Sequence, residues 1–254
     1  MTASSAPRLP ILMYHSIPAH GPGSDLAVPV ARLRDQLLAV RDAGWTILGQ
    51  TAAWQTLRRD PTARLVALTF DDGYEDFLGA LPVLAEVGAS ASLYLPVEEL
   101  DRPGFLTRAQ VDELPPDLVE IGSHARRHMP LDLLDPRSLE EQVQGSRDDL
   151  EQLLVRPVVS FCYPNGYVSP RVRRAVAAAG YTNACIVGRR VARRSDDPLR
   201  LPRLQVTAAH SGADVLHLLQ VGEGSVLPMV KRLAQPAWRV VRRTVHRTTG
   251  KVVT

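Results

Sequence analysis

Short, nearly unbroken apolar runs recur along this 254-residue chain, separated by segments with helical spacing. Residues 65–70 (LVALTF) are the clearest run, and Asp-Asp-Gly ends it. A strand that is apolar on both faces must be covered on both faces, which requires a parallel sheet flanked by helices. The pattern predicts strands at 10–15, 45–48, 65–70, 90–95, 118–122, 158–163, 181–187 and 201–206. Between them it predicts helices at 27–43, 52–58, 74–87, 107–114, 138–154, 170–179 and 213–221. Gly44, Gly88 and Gly180 stand where helices should stop, and Ser169-Pro170 supplies a cap followed by a first-turn proline. Regular β/α alternation implies right-handed crossovers, and with this many strands an irregular parallel (β/α) barrel is expected rather than an open sheet.

Composition narrows the class further. Hydrophobic residues at 45% and charged residues at 22% are ordinary globular usage. No window of 18 residues is apolar and free of charge, so no membrane span is expected. The first residues lack the pattern of a secretory signal, and two cysteines cannot staple a chain of this size. A cytoplasmic setting is the expectation. Neither a dinucleotide-binding glycine fingerprint nor a phosphate loop is present.

The net charge of +3 is unevenly spread. After Glu223 there is no acidic residue but there are seven basic ones: Lys231, Arg232, Arg239, Arg242, Arg243, Arg247 and Lys251. The division expected is a barrel at 8–222 and a basic amphipathic tail at 223–254. Val230, Leu233, Ala237, Val240, Val241 and Val245 can form an apolar stripe on a helix interrupted at Pro236. Such a tail suits an anionic membrane surface, packing on the barrel, or disorder, whereas nucleic acid is not expected, since no binding motif accompanies the charge.

In a parallel barrel, chemistry gathers at the carboxyl ends of the strands. Four such ends carry reactive residues. Asp71-Asp72-Gly73 closes the 65–70 strand; two adjacent carboxylates can divide into a metal ligand and a proton acceptor, or be a simple acidic turn. His124 and His128 follow the 118–122 strand at i and i+4, a ligand spacing if the segment is one helical turn, and otherwise two surface histidines. Cys162-Tyr163-Pro164-Asn165-Gly166 is a turn whose backbone N–H groups could hold an oxyanion or merely reverse the chain. His15 ends the first strand, as a catalytic or a structural residue. Taken together, one aspartate and two histidines make a three-ligand site with open positions, the pattern of hydrolytic rather than structural zinc.

TFDDG after an apolar strand, then EIGSHxxxH, then FxYPxG, resembles the polysaccharide deacetylase family (NodB homology, carbohydrate esterase family 4). The resemblance runs from about Leu12 to Val206 and includes the opening LMYHSI and the late PRLQV strand. It implies a barrel of seven strands and a metal-dependent hydrolase that removes an N-acetyl group from an amino sugar. Asp71 would be the general base. Asp72, His124 and His128 would hold one divalent ion, zinc by first choice, with cobalt, nickel or manganese as alternatives. The backbone amide of Asn165 would help hold the oxyanion, and Tyr163, Pro164 and Tyr14 would line the substrate. The chain departs from the family in places. Many members carry an arginine that orients the base where this chain has Cys162; a subset has a small residue there, and this chain resembles that subset. Ala125 replaces the usual Ser or Thr. The late leucine-and-histidine motif is not evident, and His217 reads as a helix position. In the resembling subset the acid histidine lies on the first strand, which makes His15 the candidate acid. The rivals are hydrolysis of another small amide or ureide, and an inactive glycan-binding barrel. A cytosolic or lipid-linked amino-sugar conjugate is the expected substrate, and the inner face of the membrane a possible station.

Overall fold

The structure is a computed structural model that describes residues 7–20 and 24–222. Among the described residues, ten strands appear in chain order: β1 (Arg8–Leu9), β2 (Ile11–Tyr14), β3 (Thr46–Leu48), β4 (Leu65–Phe70), β5 (Ala91–Leu95), β6 (Val119–Ser123), β7 (Ser160–Cys162), β8 (Asn183–Val187), β9 (Ala192–Arg193) and β10 (Leu201–Gln205). The helices are α1 (Val30–Asp42), α2 (Gln50–Arg59), α3 (Leu81–Val87), α4 (Arg108–Asp112), α5 (Pro136–Leu154), α6 (Pro170–Ala178) and α7 (Gly212–Val221). Seven strands close in the order β2-β10-β8-β7-β6-β5-β4, with β4 returning to β2 through four parallel pairs from Ile11–Ala67 to Tyr14–Phe70. The expected seven-stranded parallel barrel is therefore present. β3 pairs with the first half of β4, and β1 with β9 makes a separate antiparallel pair that the sequence pattern does not show.

The barrel sorts its side chains by parity. On β4, Val66, Leu68 and Phe70 point outward into the main core beneath the helices, while Leu65 and Ala67 join an inner cluster. That inner cluster is plugged at one end by Ala53, Trp54 and Leu57 of α2. The next inward residues of β4 and its continuation are Thr69 and Asp71, both buried. Since the strands are apolar on both faces, a single polar residue on the inward face needs a partner there.

The helices begin where the chain chemistry says they should. Asp135 caps α5, its Oδ1 accepting from the N–H of Arg137 (3.0 Å) and Ser138 (3.1 Å), and Pro136 follows. Ser169 and Pro170 do the same for α6, and Thr107 with Gln110 forms a capping box on α4. The expected 74–87 helix divides into a 3-10 turn at Glu75–Ala80 and α3, with Pro82 in the first turn of α3, where a missing N–H costs nothing. The tail expected at 223–254, with its interrupted helix, lies outside the described residues.

Candidate active site

Asp71 and His15 meet because their strands are neighbours in register. Met13 pairs with Thr69, so the next inward positions, His15 and Asp71, lie side by side; the Asp71 N–H donates to the Tyr14 carbonyl at 3.0 Å. His15 Nε2 stands 3.9 Å from Asp71 Oδ2. Burial pushes the His15 imidazole below its ordinary value against the upward pull of Asp71 and Asp72.

Asp71 is gripped by a residue to which sequence reasoning gave no role. Arg203 of β10 is 1% exposed, and its guanidinium donates to both carboxylate oxygens, Nη1 to Oδ1 at 2.7 Å and Nη2 to Oδ2 at 2.6 Å. Nη1 also reaches Thr69 Oγ1 (3.1 Å) and Nη2 reaches Cys162 Sγ (3.2 Å). Burial alone would raise the Asp71 carboxyl; the adjacent guanidinium more than offsets this and holds it well below the usual carboxylate range. Cys162 carries no charge, and the guanidinium beside its sulfur comes instead from β10, two strands away. A signal for it existed: an arginine at an inward position of an otherwise apolar strand must find a buried anion.

The adjacent carboxylate turns the other way. Asp72 adopts φ 72° and Gly73 φ 68°, and a Cβ on Gly73 would lie 2.6 Å from Leu95 Cδ2. This left-handed turn faces Asp72 toward His124 and His128, whose Nε2 atoms lie 3.4 and 3.7 Å from Asp72 Oδ1. The two histidines do not sit on a helical turn, as the spacing had suggested. His124 directly follows β6, and buried Ala125 at φ 67° bends the chain so that the two rings stand 5.0 Å apart. The bend is anchored by His124 N–H to the Leu95 carbonyl and Arg126 N–H to the Gln142 carbonyl.

These residues fit a divalent ion. Asp72 Oδ1 is buried without a hydrogen-bond partner. One ligand atom each from Asp72, His124 and His128 lies within 4.8 Å of the others. Tetrahedral bonds of about 2.0–2.1 Å place donors about 3.3 Å apart, close to the two histidine distances. A carbonyl can only accept, so the 2.7 Å contact of His124 Nδ1 with the Cys162 carbonyl places the proton on Nδ1 and leaves the Nε2 lone pair facing Asp72. Burial lowers the His124 imidazole, but the adjacent Asp72 and Asp71 carboxylates outweigh it, so its net shift is upward; Asp72 shifts down, its burial outweighed mainly by His124. His128, the more exposed of the two, is lowered by burial and by His124.

Two residues expected to line the substrate are not placed to do so. Tyr14 has outward parity: its fully buried ring stacks on Phe70 and its hydroxyl donates to Gln36 Oε1 of α1 at 3.0 Å. The Tyr163 ring is also fully buried, packed on Phe161, with its hydroxyl donating to the Leu199 carbonyl at 3.0 Å. Pro164 is buried and Asn165 is exposed at φ 59° in the turn that follows β7, immediately after Cys162. His217 is exposed on α7, as its helical spacing implied.

Sequence and fold comparisons agree with this geometry. Residues 58–184, half of the chain, match the model of the polysaccharide deacetylase family. The Bacillus subtilis protein YxkH, named as a polysaccharide deacetylase, is 28% identical over 209 residues, spanning 81% of this chain and 74% of that protein. Among solved structures, the Streptococcus pyogenes deacetylase PplD, in complex with acetate, superposes with a TM-score of 0.79 at 24% identity over 85% of this chain and all of that one. BC0361, a polysaccharide deacetylase from Bacillus cereus, gives 0.76 at 23% identity over 84% of this chain and 69% of that one. At these identities the two structures speak for the barrel, and the family match speaks for the chemistry. A closed seven-stranded barrel, a matched half-chain and the Asp-Asp and His-His pairs at one end of that barrel lead to one conclusion: this chain belongs to the polysaccharide deacetylase family.

Proposed function

We propose that this protein is a metal-dependent hydrolase that removes an N-acetyl group from an amino sugar, releasing acetate and a free amine. The observation that carries the reading is the division of labour between adjacent carboxylates. Asp71 is held ionised by Arg203 while Asp72 turns away to join His124 and His128. A divalent ion held by Asp72, His124 and His128, zinc by preference, would supply Lewis acidity toward the acetyl carbonyl and make water acidic enough to react near neutral pH.

The chain's own residues do the rest. Asp71, deprotonated and fixed in orientation by two guanidinium hydrogen bonds, accepts the proton of the attacking water. The backbone N–H of Asn165 would help hold the developing oxyanion; losing one such donor typically costs ~3 kcal/mol of activation energy. An amine leaves poorly unless protonated. His15, beside Asp71 and shifted toward its neutral form, would receive a proton and deliver it to the departing nitrogen rather than wait as a standing imidazolium.

The basic tail would hold the enzyme at an anionic membrane surface, with a cytoplasmic station on its inner face. Support for the surface comes from charge: Arg8, which donates to the Gln220 carbonyl of α7 at 2.9 Å, stands opposite Arg193 in the β1–β9 pair, and both are exposed. The function is tested by mass spectrometry of N-acetylated sugar conjugates incubated with the zinc-loaded protein. Loss of one acetyl is expected, and no loss from any amino-sugar conjugate would overturn the reading.

A further inference from the structure

The 19-residue helix α5 carries a polar row that faces protein. It buries Leu139, Val143 and Leu150, yet Gln142, Gly145 and Asp149 stand beside them at i, i+3 and i+7, on one side of the helix. After proline, glycine is the poorest helix former, and Gly145 lies in the interior of α5. Its backbone is helical, so no left-handed turn requires it. The space above it does: a Cβ there would lie 2.7 Å from Nε and 2.8 Å from Cζ of Arg126.

That row seats the loop that carries His128. Arg126 lies across Gly145; its Nη2 donates to Asp149 Oδ1 at 3.0 Å, and its Nε stands 2.9 Å from Asp149 Oδ2. Gln142 takes the backbone of the loop: its carbonyl accepts the Arg126 N–H (3.2 Å) and its Oε1 the Arg127 N–H (2.9 Å). Beside the row, the buried Ser146 Oγ lies 2.7 Å from Ser123 Oγ, which accepts the Ala125 N–H at 3.1 Å. From the other side, in the turn after β5, the N–H groups of Val97 and Glu98 donate to the Ala125 and Arg126 carbonyls (3.2 and 2.8 Å), and Glu98 pairs with the Arg127 side chain. Residues 125–127 are thus held on both sides, and His128 is the next residue. His124 needs no such seat, since it follows β6 directly and the Cys162 carbonyl fixes its ring.

We propose that α5 sets where His128 stands: Gln142, Gly145 and Asp149 are positioning residues for the metal centre, acting through Arg126 and Arg127. The proposal rests on the reading of Asp72, His124 and His128 as metal ligands. Bonds of about 2.0–2.1 Å to a metal tolerate little displacement of a ligand atom. A loop that had to be ordered anew at each binding event would lose conformational entropy there, whereas a seated loop has lost it on folding. Gly145 is therefore kept at a cost in helix propensity, and what it gains is a fixed Arg126. An alanine at 145 would displace the guanidinium, the mobile end of a long side chain, and break its fork with Asp149, leaving the helix and its apolar face in place.

The test is zinc affinity, read on the full-length protein by competition with a chromogenic chelator. The variants are Gly145→Ala, Gln142→Met, Arg126→Ala and the double variant Gly145→Ala/Arg126→Ala. Gly145→Ala should weaken zinc about tenfold, within the range lost when an outer partner of a metal ligand is removed. The melting temperature of the same variant without zinc should stay level or rise, because alanine is the better helix former. Gln142→Met keeps length but loses the acceptor for the Arg127 N–H, and should weaken zinc similarly. If Gly145 acts through Arg126, the double variant should bind zinc no more weakly than Arg126→Ala alone. With cobalt in place of zinc, the visible absorption bands of Gly145→Ala should differ from those of the wild type. Wild-type zinc affinity in Gly145→Ala and Gln142→Met, or losses that add in the double variant, would overturn the proposal. So would a zinc-free Gly145→Ala that melts well below the wild type, since the glycine would then serve packing. A wild type that binds no zinc removes the metal reading itself, a result distinct from these.

Discussion

Replacing Arg203 by methionine keeps most of the side chain's bulk and removes only its charge and its fork of donors. Arg203 is 1% exposed, and it donates to both oxygens of a carboxylate that is itself 3% exposed. Removing one partner of a buried ion pair leaves the other uncompensated, at a cost of about 3–5 kcal/mol. The sign of the pH dependence should change as well. In the wild type, the Asp71 carboxyl titrates below its ordinary value despite burial, because Arg203 outweighs the desolvation. That contribution to stability is present above the unfolded value, near pH 4, and is lost as pH falls toward the folded one. In Arg203→Met the desolvation remains and its opponent is gone, so the carboxyl should titrate above its ordinary value and stability should fall as pH rises. Urea unfolding at pH 5 and pH 8 would register the reversed slope. The rate profile should register it too: the acid limb moves upward, and turnover at pH 7 falls about 100- to 10,000-fold as the base becomes protonated or misdirected. Arg203→Lys keeps a charge without the bidentate geometry and should fall between the two. An Arg203→Met enzyme with wild-type turnover and an unmoved acid limb would refute the assignment of Arg203 as the residue that positions the base.

Four further outcomes follow from the same geometry. The purified protein should bind about one divalent ion per chain, and His124→Ala should lose it together with hydrolysis; affinity should weaken as pH falls, because the Asp72 contact that raises the His124 imidazole must give way to the metal, as titration with zinc at pH 6 and 8 can show. Asp71→Asn should keep the metal but lose about 100- to 10,000-fold in turnover, and a variant that loses metal instead would reverse the roles of Asp71 and Asp72. His15→Ala should lose far more activity on an amide than on an activated acetyl ester, whose leaving oxygen needs no proton; equal losses on both would make His15 structural. Deleting residues 226–254 should leave the barrel folded and active on soluble substrate while weakening adsorption to phosphatidylglycerol vesicles, at ~1 kcal/mol for each basic residue near the surface.

The fold was legible wherever burial and periodicity agree. Residues 65–70 were readable as β4 because a strand covered on both faces is almost wholly apolar, with Thr69 its one polar residue, and Ser169-Pro170 marked the start of α6 through chemistry local to two residues. The β1–β9 pair was not legible, because two-residue strands have no period and Arg8 opposite Arg193 shows no apolar pattern. In the site, residue identity was easier to read than geometry. The spacing of His124 and His128 suggested a helix, yet their convergence depends on a left-handed alanine that no periodicity reveals. Tyr14 and Tyr163 stood next to site residues in sequence, but alternation along a strand sends immediate neighbours to opposite faces. The role of Arg203 depends on strand order: β10 and β4 both pair with β2, and only that closure brings residue 203 to residue 71.

In the proposed reaction, one end of this barrel would use a metal held by Asp72, His124 and His128 and a base held by Arg203 to hydrolyse an N-acetyl group on a sugar. The most direct measurement is parallel quantification of acetate and free amine from an N-acetylglucosamine oligomer, using zinc-loaded wild type, the same protein after chelation, and zinc-loaded Asp71→Asn. Equal amounts of acetate and amine are expected from the first and little of either from the other two, with zinc restoring the chelated protein. Undiminished release by the chelated protein or by Asp71→Asn, or none by the zinc-loaded wild type, would contradict it.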